Sequence, residues 1–348
     1  MRPGIVVGGE LGRASGLGEG ARLTLAALEQ AGVPVWRAGD EAAPDGAPLL
    51  MHGNAPGLPL ALIGLGSRSV RNRKMIGYWS WELPVVPTSW RRGLAFVHEV
   101  WAPSRFAAAA LEALVPSVRV VPHPVAVRPP APSALGRADF GLREDAFVTL
   151  LRFSLASSFE RKNPLGAIEA HARAFGDRPD RVLLVHVTNP HHFPGDYARL
   201  AECAAAWSNV VVNTQTMSRA DAEAMVACCD VVLSLHRSEG FGLVPAEAMM
   251  QGKPVIATDW SATTEYMDSS CAALVPARLV PVRDARGVYS VPGAMWAEPG
   301  IDEAAEWLTR LAADATLRER LGAAGQRAVL DRLGPGKLLE AVTAGLAH

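Results

Sequence analysis

Residues 230–249 read DVVLSLHRSEGFGLVPAEAM, and the fold turns on how that stretch is divided. Its first six residues, mostly Val and Leu, have the short continuous apolar run of a strand buried on both faces, as inside a parallel sheet. The chain would leave the carboxyl end of that strand at His236, the edge at which open α/β sheets bind ligands. The segment RSEGFG then turns into a helix with Pro245 in its first turn and Gly252 just past its end. Glu239 would hang from the loop and Glu247 would sit about one turn into the helix, both facing one ligand. Glycine lets the backbone amides of Gly240, Phe241, Gly242 and Leu243 come close to that ligand, and the amides of a helix start attract phosphate oxygens. Carboxylates repel phosphate but accept well from sugar hydroxyls. A nucleotide sugar offers both chemistries. The competing reading is an ordinary capped helix whose acids favour the positive end of the dipole.

Outward from this stretch the same rhythm repeats. Strands FVTLLRF, RVLLVHV, NVVVNT and PVIAT alternate with helices NPLGAIEAHARAF, RADAEAMVACC and TTEYM, the pattern of a parallel sheet covered by helices. The first part of the chain reads likewise: strand GIVVG, helix GARLTLAALEQAG closed by Gly32, strand VPVWRA, then KMIGYWSWEL and EVWAPS, helix RFAAAALEAL capped by Ser104, and strand VRVVP. Between Pro122 and Pro132 five prolines exclude helix and central strand, marking a connection between domains. The expected division is a first domain over 1–128, a second over 137–325, and a helical end, 326–348, that packs back on the first. A chain of 348 residues is long enough for two such cores.

The bulk numbers exclude other classes. With 34 basic and 35 acidic residues the formal charge is −1, so no global field attracts nucleic acid, and an anion site must be local. Cys203, Cys228, Cys229 and Cys271 lack C-x-x-C spacing and read as buried free thiols. The opening MRPGIVVGGE is too short in apolar residues for a signal peptide or a membrane span, which predicts a cytoplasmic protein.

With these residues in view, the chain resembles the retaining glycosyltransferases of family 4. The likeness is carried by the E-x7-E pair in SEGFGLVPAEAM, by GKPVIATDWSATTEYM, by SSFERKNPLGAIEAHARAF, and by GYWSWELP and EVWAPSRF in the first half. The resemblance implies an α/β fold of GT-B type, two Rossmann-like domains facing each other across a cleft, with 1–128 the acceptor-side domain and 137–325 the nucleotide-sugar donor domain. It implies transfer of a sugar from a nucleoside diphosphate to a hydroxyl with retention of configuration, without metal or cofactor. Glu239 would contact the donor sugar and Glu247 the ribose. The amides around Phe241–Leu243 would bind the diphosphate, and Lys162 with Arg161 or Arg152 would clamp it. In place of the histidine that many members carry near the reacting sugar, Glu82 is the acceptor-side candidate. GDP-mannose is the first donor to test. The implied acceptor is a cell-envelope or exopolysaccharide glycan, free or lipid-linked, with peripheral contact at the inner face of a membrane. Where relatives often have Ser-Gly-Asn after the PVIAT type of strand, this chain has Ser261, Ala262 and Thr263.

ELGRASGLGEG lies between strand and helix; in the resembled family this loop faces the cleft, so Gly16 and Gly18 join the candidate donor-binding residues. The same glycines with Asp40 could instead serve a nicotinamide dinucleotide, an oxidoreductase reading that leaves E-x7-E unexplained. A sugar-nucleotide-binding protein without activity is the other alternative. His191 and His192 read as solvated loop residues and His98 as a strand residue. His123 could border the cleft. Trp79, Trp81, Trp90 and Trp101 read as core more readily than as sugar platforms.

Overall fold

The computed structural model describes residues 4–13, 15–128, 131 and 133–346. Met1–Pro3 of the opening stretch, and Pro129, Pro130 and Pro132 of the expected connection, lie outside the described residues. By its contacts the chain forms two units. The first holds the residues up to Arg128, Glu239–Phe241 and the chain from Leu333 onward; the second runs on to Ser238 and resumes over Gly242–Arg332.

The first unit is built on six parallel strands: β1 (Ile5–Gly9), β2 (Val35–Arg37), β3 (Leu49–His52), β4 (Met75–Tyr78), β5 (Glu99–Ala102) and β6 (Val118–Val120), in the order β2-β1-β3-β4-β5-β6. β3 and β4 are buried along their whole length, as strands covered on both faces must be. Trp79, Trp81, Trp90 and Trp101 are all core residues, at most 4% exposed.

The second unit repeats the plan with β7 (Phe147–Ser154), β8 (Arg181–Thr188), β9 (Val210–Asn213), β10 (Val231–Ser234), β11 (Val255–Thr258) and β12 (Ala273–Val275), ordered β12-β11-β10-β7-β8-β9 and parallel throughout. The chain builds outward from β7 through β8 to β9, then returns to the other side of β7 to lay down β10, β11 and β12. The switch point is therefore between β7 and β10, where the flanking loops diverge and leave a crevice. β13 (Ala277–Pro281) and β14 (Met295–Pro299) form a separate antiparallel hairpin.

The structure corrects several sequence expectations. The first helix is Gly16–Gln30, so Gly16 and Gly18 lie in its first turn instead of in a loop. Ser15 caps it, its Oγ accepting from the Gly18 amide at 3.1 Å, and a Cβ on Gly18 would come within 2.4 Å of the Glu10 carbonyl oxygen. Glycine there permits close packing. Of KMIGYWSWEL only Met75–Tyr78 is strand. TTEYM, expected as a helix, falls in a 3₁₀ turn over Ser261–Glu265, whereas the helix after the quoted turn begins at Leu243 with Pro245 in its first turn, as expected. β3, the helix Pro194–Ala205 and the β13–β14 hairpin were not anticipated.

Four histidines are buried in neutral form. Burial holds His123 at about 3 and His171 at about 4, and lowers His52, with His123 adding repulsion, and His186. Their folded pKa values lie below the unfolded value of about 6.5, so the unfolded chain binds more protons in the interval between. Stability should be full above pH 6.5 and fall as pH drops, by up to about 1.4 kcal/mol per pH unit for each histidine. Both ring nitrogens of His171 lack a hydrogen-bond partner among the described residues. His171→Leu should therefore retain stability at pH 7.5 and reduce the loss between pH 6 and pH 5, read by urea denaturation. An unchanged acid slope would contradict this.

Candidate functional site

The site is built at the switch point of the second sheet. At the carboxyl end of β7 the burial alternates, and Arg152 leaves the core partly exposed. From the helix Leu243–Met250, Glu247 reaches the same place; its Oε2 lies 3.7 Å from Arg152 Nη1. Two residues assigned from sequence to ribose and diphosphate are thus neighbours in one unit.

That helix starts from an unusual backbone. Gly242 has φ +90°, a left-handed conformation that glycine tolerates and other residues resist. Its carbonyl accepts from the Tyr266 hydroxyl at 2.6 Å, and a Cβ there would meet Thr263 Cγ2 at 2.5 Å. The amides of Leu243 and Val244 have no acceptor within the helix, and Pro245 has no amide, so the helix start presents donors with its positive dipole end. Beneath it a buried polar network fixes the loops. Thr263 Oγ1 donates to the Trp260 carbonyl at 3.2 Å and lies 3.3 Å from His236 Nε2, while His236 Nδ1 lies 3.1 Å from Ser234 Oγ. Ser261 occupies left-handed space at φ +68°, a strained conformation for a serine and one that concentrates at ligand sites.

Facing the turn is the one-turn helix Phe159–Lys162, which follows β7. Ser158 caps it by accepting from the Arg161 amide at 3.2 Å. Arg161 is only 3% exposed: Nη1 donates to the Ser238 carbonyl at 2.8 Å, and its guanidinium lies 5.5 Å from the centre of the Tyr289 ring. A buried guanidinium so engaged serves the loop's architecture. Lys162 is partly exposed at the helix end. Arg237, which sequence reasoning missed, joins the two segments: its amide donates to the Arg161 carbonyl at 2.7 Å and its Nη1 to the Glu160 carbonyl at 2.5 Å. Nothing in the motif marks Arg237, because its role depends on loops 77 residues apart meeting in space.

Glu239, Gly240 and Phe241 belong to the first unit. Glu239 is 6% exposed. The Gly240 carbonyl accepts from Ser104 Oγ at 2.7 Å, and a Cβ on Gly240 would fall 2.6 Å from Ser80 Oγ and 3.0 Å from the Trp81 carbonyl oxygen. Phe241 packs edge-on against His123 with ring centroids 4.8 Å apart. His123 ends a stack with Tyr78 and His52, at centroid separations of 5.1 and 4.3 Å. Tyr78 donates to the Val121 carbonyl at 2.5 Å, which leaves its oxygen to accept from His123 Nδ1, 3.3 Å away. The neutral His123 is thereby fixed in one tautomer. Glu82 is partly buried beside Trp81, and Gly16 and Gly18 start the first helix of the same unit. Among the described residues no group of three or more His, Cys, Asp or Glu could hold a metal ion.

The geometry at Gly242 is directly testable. Gly242→Ala meets both an unfavourable φ and side-chain collisions, whereas Gly252→Ala, at φ +69° with nothing within 4 Å of the added Cβ, meets only the first. The latter should cost about 1–2 kcal/mol and Gly242→Ala at least about 1 kcal/mol more, read from urea midpoints. Equal losses would contradict the packing described.

Residues 155–289 match the family model described as "Glycosyl transferases group 1". No curated protein matches the chain. Among solved structures, HepE from Anabaena in complex with UDP and glucose is 15% identical over 98% of this chain and 99% of that one, with a TM-score of 0.67. Sucrose-phosphate synthase from Thermosynechococcus elongatus is 18% identical over 99% and 100%, with a TM-score of 0.68. WaaG, a glycosyltransferase involved in lipopolysaccharide biosynthesis, is 16% identical over 97% and 100%, with a TM-score of 0.62. The two parallel six-stranded sheets with their flanking helices are those of the GT-B glycosyltransferase fold.

Proposed function

We infer that this chain is a sugar transferase that takes a hexosyl group from a nucleoside diphosphate to a hydroxyl acceptor, with retention of configuration and without a metal ion. The observation that carries the reading is the convergence at the β7–β10 switch point of a helix start at Gly242, the Arg152–Glu247 pair and the Arg161–Lys162 turn. Amides and cations there suit a diphosphate; a carboxylate beside them suits ribose hydroxyls. The family match over 155–289 covers these segments except Arg152, and HepE has been crystallised with UDP-glucose.

The chemistry follows from charge. As the glycosidic bond breaks, negative charge builds on the departing diphosphate. Lys162, Arg152 and the amides of Leu243 and Val244 oppose it without rearrangement. Glu247 holds the ribose and Glu239 the donor sugar. The leaving phosphate itself assists removal of the acceptor proton, so no side chain is assigned as base, and Glu82 orients the acceptor. UDP-glucose and GDP-mannose are the donors to compare first.

A glycan acceptor carried at a membrane face accords with the surface of the first unit. Leu60 and Ile63, one helical turn apart on Leu58–Leu65, are each 75% exposed. Arg68, Arg71, Arg91 and Arg92 are exposed in the same unit, while Arg73 is buried and Lys74 pairs with Glu99. Among the described residues no helix is long and apolar enough to cross a membrane, so such contact would be peripheral.

Thermal unfolding in the presence of UDP, GDP, ADP, dTDP and NAD tests the class. A ligand at about 100 times its Kd adds roughly 2.7 kcal/mol, a rise of several degrees. A nucleoside diphosphate should give that rise and NAD should not; the reverse would favour an oxidoreductase. Glu247→Ala should abolish the nucleotide shift, while Glu239→Ala keeps it and loses transfer. Lys162→Met removes a charge-assisted bond of roughly 1.5–3 kcal/mol, so transfer should slow about ten- to a hundredfold. Transfer should survive EDTA; loss restored by magnesium or manganese would overturn the metal-free mechanism.

A further inference from the structure

The β13–β14 hairpin pairs with neither large sheet, and an isolated two-stranded ribbon is marginal in water. The helix Phe159–Lys162 has the same weakness, because a single turn cannot sustain itself. Each is held by the other. From the loop joining β13 to β14, Asp284 Oδ1 accepts from Ser158 Oγ at 2.7 Å, which orients the hydroxyl that caps the turn. Asp284 Oδ2 accepts from the Tyr289 amide at 3.1 Å, setting the Tyr289 ring near the Arg161 guanidinium. Arg286 donates to the carbonyls of Leu155 and Ser157 at 2.6 and 3.0 Å, and pairs with Asp196. From β14, Glu298 holds Arg237 through two bonds, at 2.7 and 2.8 Å, and Arg237 grips the carbonyls of Glu160 and Arg161.

We propose that this hairpin is a strap that positions the Arg161–Lys162 turn on the phosphate, with Asp284, Tyr289 and the Arg237–Glu298 pair as positioning residues that do not touch the ligand. The proposal rests on the nucleoside diphosphate reading above. It adds that the affinity contributed by Lys162 depends on residues more than 120 positions later in the chain.

The test is a double-mutant cycle, with UDP and GDP as probes in isothermal titration and thermal unfolding run in parallel. Asp284→Ala and Tyr289→Leu should each weaken binding about tenfold. In the Lys162→Met background the same changes should cost less than twofold, because the charge they aim is gone. Asp284→Asn, which keeps an oxygen for Ser158, should recover most of the loss, and Arg278→Ala on the exposed face of β13 should bind like wild type. Ser158→Ala breaks the same hydrogen bond from the other side and serves if Asp284→Ala does not fold. Wild-type affinity in the strap variants with weakened binding in Lys162→Met overturns the strap and leaves the phosphate reading standing, as does an equal loss in both backgrounds. If wild type binds neither nucleotide, the phosphate reading fails and the strap with it.

Discussion

A chain leaving a buried parallel strand at a switch point must turn into a helix within a few residues, and here it does so through one left-handed residue. Gly242 at φ +90° sets where the helix Leu243–Met250 begins and which amides face the crevice. It also sets where Glu247 arrives relative to Arg152. The Tyr266 hydroxyl and the wall of Thr263 hold that conformation from the next loop. The 3₁₀ turn at Ser261 and the His236 network are therefore supports of the same corner.

Magnitudes separate structure from function within the site. At 3.7 Å, with side chains 25% and 30% exposed, the Arg152–Glu247 pair is beyond hydrogen-bond distance and adds at most about 1 kcal/mol to stability. In the function proposed above, the nucleotide engages both groups. Arg161 is the opposite case: buried, bonded to the Ser238 carbonyl and near Tyr289, it organises the turn, and in the function proposed above Lys162 and Arg152 are the cations that meet the phosphate. The sequence could rank none of the three, since the rank depends on burial.

Much of the architecture was legible because parallel strands are apolar along their whole length and helices carry caps. β7, β8 and β10 announce themselves, and Ser104 caps the helix it was expected to cap. β3 was missed because three apolar residues and a histidine bounded by Pro48 and Gly53 read equally as a loop. The β13–β14 hairpin was missed for a different reason. Its first strand is largely exposed, and the side-chain bonds that tie the hairpin to distant loops come from Asp284, Arg286 and Glu298 outside that strand, so it lacks a periodic apolar pattern. Gly16 and Gly18 show the limit of motif reading: a glycine-rich segment suggests an open loop, yet Ser15 turns it into a helix start. Where Glu239, Gly240 and Phe241 pack, against Ser104 and His123 of the first unit, follows from long-range contacts that no local pattern encodes.

The central claim is that the switch point of the second sheet binds a nucleoside diphosphate through backbone amides and the cations beside them. Hydrogen exchange of the whole chain, with and without saturating UDP or GDP, tests it most directly. The account predicts slowed exchange in two segments, the amides of 158–163 and those of 243–248, with β2 and the helix Gly336–Leu346 unchanged. Protection confined to other segments, or none at nucleotide concentrations that raise the unfolding temperature, would contradict it.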